Sequence, residues 1–88
     1  MKKIAVIVRD RQAEALRMAI GLTVLNKVDV YVLDGKLEAS GDIAMNLEMI
    51  REIRMGFYTN TKMNEDIAYM PMEDIAKRLL EYDNILPY

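Results

Sequence analysis

Apolar positions fall in short blocks whose spacing changes along the chain. Ile4-Ala5-Val6-Ile7-Val8 is continuous and rich in β-branched residues, the pattern of a strand covered on both faces, as in a parallel sheet between helices. A charged loop, Arg9-Asp10-Arg11, follows. From Gln12 to Asn26 the period lengthens: Leu16, Ala19, Ile20 and Thr23 recur at the i, i+3, i+4, i+7 spacing of a helix face. Val28–Leu33 is a second strand, ended by Asp34-Gly35. Gly35–Gly41, with a glycine at each end and Ser40 inside, reads as a loop. Asp42 is placed to N-cap a helix running to Arg54, with Ile43, Leu47 and Ile50 inward. Met55–Thr59 is a short third strand and Asn60–Asp66 a polar loop. Ile67–Met70 fits a turn of helix and an extended piece equally well. Pro71 suits the first turn of a last helix, which runs to about Tyr82 with Ile75, Ala76, Leu79 and Leu80 inward. Ile85-Leu86 with Tyr88 forms a closing strand, which Pro87 assigns to a sheet edge.

Strands and helices alternate, so the expected class is α/β: a small three-layer sandwich around a four-stranded parallel sheet with right-handed crossovers. A 2-1-3-4 strand order is expected, with the switch point between strands one and three. In open parallel sheets ligands bind beyond the carboxyl ends of the strands at such a point. Arg9, Arg11, Thr59, Asn60, Thr61 and Lys62 then line the candidate pocket, where basic side chains beside a helix N-terminus suit a small anion. The competing reading makes these solvated loop charges, with Arg9 or Arg11 pairing Asp10 or Asp34.

The first helix raises a question of partners. Beyond its sheet-facing positions, Ala15, Met18, Leu22 and Leu25 form a second apolar stripe, more than a helix lying on the sheet of a monomer needs. Packing against another subunit accounts for it; cover within the chain by neighbouring loops, Met45 or Met49 is the alternative. The eight methionines read as core filler rather than as an adaptable binding surface.

Composition narrows the chemistry. The 88 residues set the expectation of one domain over residues 1–88, burying about 60% of the unfolded chain's surface and gaining from any surface that subunits lend one another. A pI near 5.1 disfavours nucleic acid as a partner. No stretch approaches the roughly 18 apolar residues of a membrane span, and the opening block is too short for a signal-peptide core; a cytoplasmic protein with no membrane partner is expected. The chain has no cysteine and no histidine, which removes thiolate chemistry, imidazole general bases and the usual zinc sites. The first strand–helix loop has no glycine, so neither a dinucleotide fingerprint nor a P-loop is present. Thr59, Thr61 and Tyr58 are weak nucleophiles, with Lys62 the one nearby base. Asp10 and Asp34 end different strands, and no aspartate ends the third, so an acidic phosphoacceptor pocket is not formed. Glu48 with Glu52 and Glu73 with Asp74 sit on solvated helix faces. No catalytic residue, metal or cofactor is assigned.

The opening Lys2-Lys3-Ile4-Ala5-Val6-Ile7-Val8, the helix with Ala15-Leu16-Arg17-Met18-Ala19, and Val28-Asp29-Val30-Tyr31-Val32-Leu33-Asp34-Gly35 resemble the DsrE/DsrF-like family. Met70–Leu80 is similar to that family's closing helix and Asn84-Ile85-Leu86 to its last strand. The resemblance implies a small α/β fold, homo-oligomers or DsrE-like partner subunits, and a link to sulfur metabolism. Relay members carry a persulfide on a cysteine after the third strand; the corresponding Gly56-Phe57-Tyr58-Thr59-Asn60-Thr61-Lys62 has none, and a hydroxyl cannot replace a thiolate. Two functions follow as expectations. One is a non-catalytic oligomeric binding, assembly or regulatory module. The alternative is a small-molecule or anion-binding domain, or a weak enzyme, with its site at the ends of strands one and three.

Overall fold

The computed structural model describes residues 2–38, 41–64 and 67–88; Ser40 and Asp66, named above, lie outside them. The elements are β1 (Lys3–Val8), α1 (Gln12–Leu22), β2 (Lys27–Val32), α2 (Asp42–Glu52), β3 (Gly56–Thr59), β4 (Ala68–Tyr69), α3 (Met72–Leu79) and β5 (Asn84–Pro87). They form a five-stranded parallel sheet in the order β4-β3-β2-β1-β5. The segment left open between helix and strand, Ala68–Tyr69, is extended and adds an edge strand. Pro87 sits at the opposite edge.

The expected four strands and 2-1-3-4 order are therefore corrected. β2 pairs β1 on one side and β3 on the other, with Val6 opposite Val30 and Val30 opposite Phe57. The physical reason lies in how the helices share the two faces. Successive right-handed crossovers that step in one direction place their helices on the same face. The chain steps from β1 to β2 to β3, so α1 and α2 lie side by side. The return from β4 at one edge to β5 at the other puts α3 on the opposite face.

Alternation along each strand divides the core between these layers. Ile4, Val6, Val8, Val28, Val30 and Val32 face α1 and α2, meeting Leu16, Ala19, Ile43 and Ile50. Ala5, Ile7, Tyr31 and Leu33 face α3, meeting Ile75 and Tyr82. Most of the second stripe of α1 is used inside the chain. Ala15 is fully buried, and Met18 and Leu22 pack on the same core as α2 and Tyr88. Leu25 alone of the four stays exposed, in the turn after α1.

Local ends differ modestly from expectation. α1 stops at Leu22 because Thr23 Oγ1 and Asn26 Nδ2 donate back to the Ile20 and Leu22 carbonyls, closing it with side chains that compete with helical bonding. Gly41, at φ 56°, rather than Asp42, precedes the first turn of α2. Asp42 instead lies in that turn, where its charge favours the positive end of the helix dipole. Pro71 directly precedes α3, and its carbonyl accepts the Asp74 and Ile75 N–H groups.

Candidate functional site

With β1 between β2 and β5, the switch point lies between β1 and β5. The loop leaving β1 there is held by the last strand: the Tyr88 carbonyl accepts the N–H groups of Asp10 (3.2 Å) and Arg11 (3.3 Å), and the Tyr88 hydroxyl donates to the Met18 sulfur. A shallow groove of about 480 Å³ opens over this loop and the first turn of α1, from Arg9 to Glu14, with Glu38 and Ile43 across it. No side chain caps α1 at Arg11. Gln12 instead bridges to the segment after β2, donating to the Lys36 carbonyl (3.2 Å) and accepting the Glu38 N–H (3.0 Å). The groove is mixed in charge: Arg9 and Arg11 face Asp10, Glu14 and Glu38.

The other four candidate residues stand elsewhere. Thr59 ends β3 and Asn60, Thr61 and Lys62 follow it, and β2 separates them from Arg9 and Arg11, about 10 Å at the usual strand spacing. Of the six, the groove takes in Arg9 and Arg11. Asp34, in the left-handed region at φ 63°, joins the two groups instead: its carboxylate pairs with Arg9 at 3.6 Å and accepts from Asn60 Nδ2 at 3.0 Å, while Asn60 Oδ1 accepts the Asp34 N–H at 2.9 Å.

The end of β3 is a closed polar lock. Buried Thr59 donates to the Val32 carbonyl at 2.8 Å and accepts from the Thr61 N–H and from Asn64 Nδ2. Asn64 also donates to the Gly35 carbonyl and accepts the Leu37 N–H at 2.7 Å. Thr61 donates to Asn60 Oδ1, and the Lys62 ammonium lies 5.3 Å from the Tyr69 ring centroid. Of the hydroxyls considered above as weak nucleophiles, that of Thr59 is thus spent on tying β3 to β2 and that of Thr61 on Asn60. No family model, curated protein or solved structure matches this chain. Among the described residues, no three acidic side chains gather to hold a metal ion, and no helix is long and apolar enough to cross a membrane.

Sequence reasoning passed over two residues. Asn64, in a polar loop, carried no signal that it would be buried. Asp29 did: it is a carboxylate inside an otherwise apolar strand. It is buried beneath α3 and accepts from the Tyr82 hydroxyl, which is itself 2.6 Å from the Tyr31 hydroxyl. Tyr31 stacks on Tyr58 (5.4 Å between centroids) and meets Tyr82 edge-on (6.0 Å). The Arg78 guanidinium covers Tyr58, and the Lys3 ammonium covers Tyr82. Burial pushes both the Tyr31 and Tyr82 phenols above their usual range, and for Tyr82 the bond to Asp29 adds to the effect. Gly56, opposite Asp29 on β3, leaves the space that the carboxylate fills. This cluster lies on the α3 face of the sheet, running from Asp29 opposite Gly56 to Tyr31 opposite Tyr58, and through Arg78 over the Tyr58 ring it fastens α3 to the sheet.

Proposed function

We propose that this chain is a non-catalytic module of DsrE/DsrF-like type that works by binding and assembly, as a homo-oligomer or with DsrE-like partner subunits. The family assignment and the association with sulfur metabolism rest on the sequence resemblance; the parallel α/β sheet is compatible with it. The observation that carries the reading is the internal closure of the β3 rim. Thr59, Asn60, Thr61 and Asn64 satisfy one another and the neighbouring backbone, at the place where a relay protein would present its sulfur-carrying thiol. A rim built this way serves as scaffold. Sedimentation velocity across about 5 to 500 μM, the range in which micromolar association shows, tests the reading. Concentration-dependent growth beyond a monomer is expected, and a monomer throughout would refute the homo-oligomer.

The groove at the β1/β5 switch point favours a second reading, a site for a small anion contacted by Arg9, Arg11 and the first turn of α1. A genuine ligand at about 100 times its dissociation constant stabilises by roughly 2.7 kcal/mol. A domain of this size would then melt about 10–20 °C higher. A thermal-shift panel of phosphate, sulfate, sulfite and thiosulfate, repeated with Arg11→Ala, decides it: no anion response in the native chain removes this reading.

A further inference from the structure

We infer that the amino end of the sheet docks on the surface of an anionic lipid bilayer, a partner independent of the assembly reading. Each helix runs back against its strands, so the turns that follow α1, α2 and α3 all lie at this end. Those turns hold Val24 and Leu25, Ile53, and Leu80. Among the described residues Leu80 (87% exposed), Val24 (80%) and Leu25 (77%) are the most exposed large hydrophobic side chains, and Ile53 is 42% exposed. Turns ordinarily favour polar residues and glycine, so aliphatic side chains at the tips of all three are unexpected from folding alone. They stand on separate turns, those after α1 and α2 on one face of the sheet and that after α3 on the other. Such a spread suits a fluid, laterally extended partner better than a helix or strand seated in a groove.

Charge selects the partner. Lys2, Lys27, Arg54 and Lys77 are exposed at the same end, and Lys3 and Arg78 rest on the Tyr82 and Tyr58 rings. Glu52 and Glu81 oppose them, while Asp83 accepts the Lys3 N–H at 2.8 Å and Asp29 is buried against Tyr82. Basic groups in the last turns of α2 and α3 complement the helix dipoles, but Lys2, Lys3 and Lys27 belong to the starts of strands. Lys3 is in register with Lys27, whose N–H donates to the Lys2 carbonyl at 2.9 Å. Like charges side by side on neighbouring strands are destabilising, and a negatively charged surface offsets that repulsion. The net charge of −2 does not oppose such a contact. Glu14, Asp42, Glu73 and Asp74 occupy the first turns of the helices, at the carboxyl end. An 11-residue helix is about 16 Å long, roughly two screening lengths at physiological salt. Cations and aliphatic tips thus share one end, the combination that holds a protein at an anionic membrane interface. No helix among the described residues is long and apolar enough to cross a membrane, so the contact is with the surface alone. Hydropathy, which set the expectation of no membrane partner, reports spans and not surface contacts.

Flotation with vesicles of phosphatidylcholine, with and without phosphatidylserine, tests the face. A basic side chain near an anionic surface contributes about fivefold, so binding at least tenfold tighter to the serine-containing vesicles is expected. It should be lost at about 1 M salt, where the screening length falls to about 3 Å. Leu25→Ser and Leu80→Ser, on opposite sides of the sheet, are each expected to weaken binding at least fivefold, and Lys27→Gln about fivefold. Met45→Ser, 70% exposed in the first half of α2, and Lys62→Gln, beyond the carboxyl end of β3, leave it unchanged; circular dichroism checks the folding of each variant. No flotation with serine-containing vesicles overturns the inference. Flotation that survives both leucine changes overturns it too, and competition by soluble polyglutamate would then reassign the face to an acidic protein segment. Sedimentation velocity without lipid reads assembly separately: a monomer that floats keeps this face and removes the homo-oligomer, and an oligomer that does not float does the reverse.

Discussion

Gly56→Ala tests the architecture at its tightest point. A methyl group added there would stand 2.7 Å from Asp29 Cγ, closer still to Oδ1, and 3.1 Å from the Tyr58 ring. Asp29 cannot swing aside freely, because it is buried and bonded to Tyr82, whose hydroxyl also meets Tyr31. Overpacking of this kind costs about 1–3 kcal/mol, and loosening the charged hydrogen bond to Tyr82 adds about 1.5–3 kcal/mol where it is lost outright. Replacing glycine in a strand returns roughly 0.4–1 kcal/mol through the unfolded state. The net expectation is a loss of about 2–4 kcal/mol, from a total of about 4–13 kcal/mol for a chain of this length. That corresponds to a melting point lower by about 10–25 °C, read by circular dichroism or calorimetry. The cause is isolated by repeating the change in an Asp29→Ala background, where the obstructing carboxylate is gone. There Gly56→Ala should cost little or become mildly stabilising, a coupling of the size that contacting residues show in double-mutant cycles. An equal penalty in both backgrounds would refute the argument.

The same cluster governs behaviour in alkali. Burial holds the Tyr31 and Tyr82 phenols above 10.0 in the folded chain, so folding favours their neutral forms. Their stabilisation is complete below about pH 10 and declines as pH rises past it, by roughly 1.4 kcal/mol per pH unit for each group. Melting temperatures should fall from pH 9 to 11, and Tyr82→Phe should flatten the decline; a level profile in the native chain contradicts this. At the β3 rim, Asn64→Ala strands the buried Leu37 N–H and removes donors from the Gly35 carbonyl and Thr59. An expected loss of about 2–4 kcal/mol, with faster hydrogen exchange at Leu37, is measurable; an unchanged melting point would mean the lock is dispensable.

Strand interiors were readable because β1 and β2 are buried on both faces, and uninterrupted Ile4–Val8 or a run such as Val30–Leu33 has few other homes. Neighbour order was not, since alternation reports which face a side chain takes and says nothing about which strand lies beside it. One clue was present in α1. Its two apolar flanks are what a helix needs when α2 covers one side and Met18 and Leu22 meet Tyr88 and the core on the other. Reading the surplus as an interface between subunits missed that both early crossovers share a face. Arg9, Arg11 and Thr59–Lys62 were rightly placed at strand ends, but their distance from one another depended on the order. Asp29 was legible as an anomaly, whereas its partner Tyr82 lies 53 residues away, and only the crossing of α3 brings the two together.

Closure of the sheet by β5 bears on how the molecule is made. As the chain emerges from the ribosome, β1 to β3 can zip together while the other flank of β1 waits for its last partner. Until Asn84–Pro87 arrives, Ile4–Ile7 offers bare amides and carbonyls along an aliphatic ribbon, a ready template for foreign strands. A clip anywhere between α3 and β5 would reopen that flank, so a trimmed molecule is expected to clump before it unravels.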